Sequence, residues 1–246
     1  MRIKYREPYW VKFNWDLSNH HENQYVTEFN KNENLIFREF QHNEKFIITC
    51  RFKIEEDYKF DPISMIFGKP GKNMGLTYNS NENVVAFEFW TKGEIEDKFN
   101  YLLVEKLTEI DLKNGVTITI IKNKNTFTVY KNYKKNNLIE FENELIDDYR
   151  ESGLFIGCSN PGTTVPEHRY HGEVDLEYFS IINNVNKIDI AKDLHKSKVI
   201  DLTNKNYYRD ILCLYDFKTI SNLGIVYDES KHTNFMEKVP NELIAN

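Results

Sequence analysis

Cysteine and glycine are scarce in this 246-residue chain and an excess of positive charge is lacking, and each shortage closes off a class of protein. Its 3 cysteines, Cys50, Cys158 and Cys213, cannot all pair, and none has the C-x-x-C spacing of a metal site. Cys50 and Cys158 lie inside apolar strands, where a thiol behaves as a small hydrophobe, so reduced core cysteines are expected. With only 10 glycines there is no glycine-rich nucleotide loop and no G-x-S-x-G elbow, and no Cys/His pair stands in a recognisable setting. The net charge of −6 argues against a nucleic-acid partner, because phosphate binding draws on clustered Lys and Arg. Long apolar runs are missing too. No segment approaches the roughly 20 apolar residues of a membrane span, and the charged first 17 residues, without an apolar run, are not expected to act as a signal peptide. A cytoplasmic or non-classically delivered protein is expected.

Aromatic residues are what the chain has in quantity. The 17 Phe and 15 Tyr, with abundant Ile, supply strand formers and place the chain outside the disordered class. Asn and Lys are frequent enough to reflect coding bias, so they carry little weight as ligands. Residues 9–17 read as a first strand, closed by the polar stretch 18–23. In 46–54, Phe46, Ile48, Cys50, Phe52 and Ile54 take one face while Ile47, Thr49, Arg51 and Lys53 take the other, the period of a half-buried strand. Segments 63–67, 76–79, 84–91 and 101–105 continue the pattern. In 84–91, Val85, Phe87 and Phe89 oppose Ala86, Glu88 and Trp90. Segments 116–121 and 126–130 flank a short polar connection and predict a hairpin. The basic cluster 131–135 around Tyr133 reads as a solvated turn. A short helix is expected around 190–194, and the last strands at 212–217 and 223–227.

Many short strands with few helices predict an all-β fold, a two-sheet antiparallel β-sandwich with short helical elaborations. No repeat or low-complexity linker interrupts the chain, so one domain over 1–246 is expected. The hairpin with Phe127-Thr128-Val129-Tyr130-Lys131-Asn132, then Gly153-Leu154-Phe155-Ile156-Gly157, then Gly172-Glu173-Val174-Asp175 with Tyr178-Phe179, resembles the closing half of the concanavalin A-like lectin and glucanase superfamily, in its laminin-G-like branch. The resemblance covers about 35–182 and implies a jelly roll. Tyr133 stands where that branch usually has Gly, which implies a different turn. Leu214-Tyr215-Asp216-Phe217 and the segment 225–230 resemble the family's opening strands, so strands within 212–227 are expected to complete the sheets from the C-terminal side.

Several residues could carry chemistry. Glu173, Asp175 and Glu177 form E-x-D-x-E on one strand and so share a side. This is similar to the signature of laminarinase-like glucanases, and that likeness implies a nucleophile at Glu173, a tuning acid at Asp175 and an acid/base at Glu177. Retaining hydrolysis needs carboxyls about 5 to 5.5 Å apart, whereas positions i and i+4 of a strand lie roughly 13 Å apart. The alternative is that Val174, Leu176 and Tyr178 pack inward while the acids face water. The loop bearing His168, Arg169, Tyr170 and His171 is dense in Pro, Gly and aromatic residues and could line a sugar site. Its H-x-x-H has no third ligand nearby, so no metal is assigned. Trp15 and His20 mark a second such loop. In the resembled superfamily the concave sheet presents aromatics to glycans, a role open to Trp90 and Tyr78. No cofactor is expected; a calcium ion on Asp16, Asp57 or Asp61 is the alternative, although their spacing is unlike an EF-hand.

These readings converge on a non-enzymatic carbohydrate-recognition or accessory domain with a glycan or oligosaccharide partner. A glycoside hydrolase built on the three acids and a module that binds protein through an exposed sheet are the rivals.

Overall fold

The computed structural model describes residues 11–13, 25–27, 40–53, 63–68, 74–79, 81–104, 106–146, 155–156, 174–197, 202–217, 228–231 and 236–238. In chain order the strands are β1 (Val11–Phe13), β2 (Tyr25–Thr27), β3 (Lys45–Lys53), β4 (Ile63–Gly68), β5 (Gly75–Asn79), β6 (Val84–Thr91), β7 (Lys98–Leu103), β8 (Val116–Asn123), β9 (Thr126–Lys131), β10 (Lys134–Glu140), β11 (Phe155–Ile156), β12 (Val174–Asn183), β13 (Ile211–Asp216) and β14 (Met236–Lys238). Helix α1 (Glu109–Asn114) precedes β8, and α2 (Ile188–Lys196) follows β12. The strands form two antiparallel sheets. The first runs β1-β12-β3-β8-β9-β10 with β13 also on β12, and the second runs β14-β2-β11-β4-β5-β6-β7.

Alternating side chains from both sheets meet in one core. Phe46, Ile48, Cys50 and Phe52 of β3, Ile118 and Ile120 of β8, and Phe127 and Val129 of β9 face Leu76, Val85, Phe87, Phe89 and Leu102 of the second sheet. Phe127 lies 4.9 Å from Phe87 and 4.8 Å from Phe89 between ring centroids, and Phe67 lies 5.2 Å from Phe179. These edge and tilted contacts fasten sheet to sheet. The fold is thus the expected all-β sandwich.

The first sheet is covered on its other face as well, so β3 is buried on both sides. Ile47, Ile121, Tyr178 and Ile182 form a second apolar cluster with Ala191 and Leu194 of α2 and with Leu202, Tyr207, Ile211 and Leu214. The helix can lie there because its apolar residues recur at helical spacing while Lys192 stays exposed. Its position is pinned by Asp193, which accepts from Tyr207 Oη at 2.7 Å and Lys205 Nζ at 2.8 Å.

The basic cluster 131–135 is the expected solvated turn, with Asn132, Lys134 and Lys135 exposed, and it forms the corner of a hairpin. Asn132 and Tyr133 have φ of 50° and 64°, the both-positive geometry of a tight two-residue turn, and β10 follows at once. Lys131 Nζ sits 2.8 Å from Asp111 Oδ2, and that acid also accepts from Thr108 N at 2.9 Å to cap α1. Strand β10 escaped the sequence reading because it is an edge strand, mostly exposed and polar. It approaches the second sheet at its edge, where Asn137 Nδ2 donates to Leu103 O at 3.0 Å.

Strand β12 carries a bulge. Leu176 pairs with Phe52 and Tyr178 with Arg51, leaving Glu177 as the extra residue. The bulge sits where two strands share one edge of β12: β1 pairs with Val174 to Leu176, and β13 with Tyr178 to Ile182. Of the two last strands expected from the sequence, the first is β13, and 223–227 lies outside the described residues.

Candidate functional site

The outer face of the second sheet, over β5, β6 and β7, combines exposed aromatic surface with a shielded carboxyl. Strict pairing sets the face: Gly75 opposes Glu88, which opposes Tyr101; Thr77 opposes Ala86, which opposes Leu103; and Trp90 opposes Phe99. Since neighbours across strands point to one side, Glu88, Trp90, Phe99, Tyr101 and Leu103 share the face turned away from the core. Phe99 and Tyr101 remain 44% and 57% exposed. The Trp90 and Phe99 centroids are 5.2 Å apart, and those of Phe99 and Tyr101 are 6.3 Å apart, giving a continuous aromatic strip.

A polar floor adjoins this strip. Thr77 is buried on β5, and its hydroxyl donates to Glu88 Oε1 at 2.8 Å. Burial of Glu88 raises its carboxyl above the ordinary carboxylate range, and the Thr77 hydrogen bond only partly offsets this. One carboxyl oxygen is thereby committed to the protein, while the other has no hydrogen-bond partner among the described residues.

The strip ends at the loop 92–97, which carries Glu94, Glu96 and Asp97, with Ile95 fully in solvent. Gly93 is required there. A Cβ on it would come within 1.7 Å of Glu96 O. The neighbouring end of β6 is fixed by Ile146 N donating to Trp90 O at 3.0 Å and by Lys92 N donating to Glu144 O at 2.9 Å. Trp90 therefore projects from an anchored backbone.

The two aromatics named together from the sequence are separated by the sheet. Trp90 is on the outer face, whereas Tyr78 is 3% exposed inside the core, its hydroxyl donating to Asn83 Oδ1 at 2.7 Å. Tyr78 pairs with Val85 and so takes the opposite parity from Trp90. His168, Arg169, Tyr170, His171, Trp15, His20, Glu173 and the aspartates 16, 57 and 61 lie outside the described residues. The backbone of Asp175 pairs with Lys12 and Lys53. Phe99 and Tyr101 join Trp90 as aromatics that the sequence signals only through the alternation of Phe99, Tyr101 and Leu103 against Asn100 and Leu102, the pattern of a two-faced strand. Reading that strand as starting at residue 101 hid Phe99.

Glu177 does not face water, because the bulge turns it onto Arg51. Arg51 Nε donates to Glu177 Oε2 at 2.8 Å, and its Nη2 donates to Asn114 O at 2.9 Å. Beside this pair Tyr133 Oη hydrogen-bonds His195 Nδ1, and the His195 ring packs at a tilt on Tyr178 with centroids 4.6 Å apart. Burial pushes the Tyr133 hydroxyl well above its ordinary pKa. This polar group ties α2 to the first sheet. Among the described residues no three His, Cys, Asp or Glu side chains are grouped to hold a metal ion.

No protein-family model matches the chain, and no curated protein matches its sequence. Solved structures do resemble it in fold. A protein from Bacteroides ovatus, provisionally described as carbohydrate binding, superposes with a TM-score of 0.59 at 11% identity over 89% of this chain. The chain spans 58% of that structure's length. The binding domain of botulinum neurotoxin DC in complex with SialylT gives 0.49 at 16% identity, covering 74% of this chain and 40% of its own. A Ruminococcus gnavus sialidase module, CBM40, bound to α2,3-sialyllactose gives 0.45 at 12%, covering 67% of this chain and 89% of its own. The first likeness agrees with a β-sandwich.

Proposed function

We propose that the protein is a non-enzymatic carbohydrate-recognition domain whose sugar rests on Trp90, Phe99 and Tyr101, with Glu88 accepting from a hydroxyl. The observation that carries this is the aromatic strip on two paired strands, next to a carboxyl that is half-buried and already oriented by Thr77. Pyranose rings offer a flat C–H face that stacks on aromatic rings, while their rim of hydroxyls seeks fixed polar groups. The fold shared with a protein described as carbohydrate binding supports the same reading. Fold alone assigns no function, so the face bears the weight. Hydrolysis through the three acids is disfavoured by the ion pair that engages Glu177.

A glycan array followed by calorimetric titration tests the proposal. Binding of at least one saccharide, weakened about tenfold or more in Trp90→Ala and Tyr101→Ala, is the expected result. Binding that is indifferent to both substitutions would move the site elsewhere.

A further inference from the structure

Resting on that carbohydrate reading, we infer that the face selects uncharged saccharides and rejects those bearing a carboxylate. The inference follows from where charge stands around the aromatic strip. On β5, β6 and β7 the outward positions are Gly75, Thr77, Asn79, Val84, Ala86, Glu88, Trp90, Phe99, Tyr101 and Leu103, and none is a cation. The carboxylate within the strip is that of Glu88. At its end the loop 92–97 adds Glu94, Glu96 and Asp97. Two lysines that flank the strip in sequence point elsewhere: Lys92 Nζ lies 2.6 Å from Glu144 Oε2, and Lys98 alternates to the side opposite Phe99.

A saccharide carboxylate laid on Trp90 and Tyr101 would therefore meet like charge, with no arginine or lysine among the described outward positions to receive it. Recognition of a carboxylate calls for charge-assisted donors, which this face lacks among the described residues. A neutral ring meets no such barrier. Its hydroxyls can donate to Glu88, and its C–H face can stack. Repulsion between exposed charges is screened by salt, with a Debye length of about 30 Å at 0.01 M and about 8 Å at 0.15 M, so the selectivity has an ionic signature.

Titration of lactose and 3′-sialyllactose, with laminarihexaose and a galacturonate trimer as a second pair, at 10 mM and 150 mM salt tests it. The uncharged member of a pair should bind at least about fivefold more tightly at low salt, with the gap narrowing at high salt. Glu88→Gln, and separately Glu94→Gln with Glu96→Gln in the solvent-exposed loop, should shrink that gap. The loop variant keeps the test valid if the first is unstable. Tighter binding of the anionic members, or a gap that neither salt nor either variant changes, would overturn the charge selectivity while leaving carbohydrate recognition intact. Failure of every saccharide on the array would overturn the recognition itself and this inference with it.

Discussion

Arg51 and Glu177 stand opposite each other at a one-residue bulge, with Nε 2.8 Å from Oε2 and the acid's side chain only 9% exposed. Arg51 also reaches the carbonyls of Asn114 and Gly115 at the end of α1, so one guanidinium serves both the bulge and a helix terminus. Removing the acid strands a partly buried cation. Glu177→Ala is expected to cost about 2–3 kcal/mol in urea unfolding, and adding Arg51→Met should recover part of that. An additive double variant would show that the two do not act as a pair.

Tyr133 holds a left-handed conformation that glycine adopts more easily, and its hydroxyl bonds His195 on α2. Tyr133→Phe keeps the turn and loses the bond, at about 1 kcal/mol. Amide exchange in α2 should accelerate in this variant while β8 and β9 stay protected. Uniform acceleration everywhere would mean that the tyrosine does not act through the helix.

Glu229 gives the molecule a pH dependence. Burial, reinforced by Asp216 and Asp228, pushes its carboxyl up to about 7, whereas in the unfolded chain it titrates near 4.3. The folded state therefore binds more protons between those values, and stability from this group is greatest at low pH and declines as pH rises through 7. Glu229→Gln should melt about 2–4 °C above the parent at pH 8, and the difference should vanish near pH 4. Equal melting differences at both values would refute the assignment.

Phe127 bridges the sheets, packing on Phe46, Phe87, Phe89 and Phe141. Truncation to Ala leaves a cavity that four rings cannot fill, and a loss of about 3–5 kcal/mol is expected by denaturant titration.

Gly93→Ala forces the loop 92–97 to move, since the new methyl collides with Glu96 O. Trp90 fluorescence should shift while the melting temperature changes by only a few degrees, because the collision lies outside the core. An unchanged spectrum would separate the loop from the aromatic strip.

Period-two alternation made the sandwich legible. Phe46 to Phe52 and Val85 to Phe89 face the core as their parity requires, and the parity of Trp90 put it outside. Three features escaped for physical reasons. The bulge at Glu177 breaks the parity that would have turned the acid to water, and no residue type announces it. The cover that α2 lays over β3 is a tertiary contact, so Ile47 reads as outward from its strand alone. Strand β10 carries so little apolar side-chain surface that its pairing depends on the backbone and on a corner built from Asn132 and Tyr133. The aromatic strip was half legible, because Trp90 was visible and its neighbours on β7 were not read as one face with it.

Asn137 has a consequence for how the protein behaves in concentrated solution. An exposed aromatic strip beside a sheet edge invites strand-to-strand polymerisation, because bare amides and carbonyls template a further strand. Here the carbonyl of Leu103 is already occupied by Asn137, and the other sheet's edge bears Lys134, Lys135 and an irregularity at Asn136. At these two edges the chain can thus expose Phe99 and Tyr101 to solvent while hindering a further strand from adding alongside.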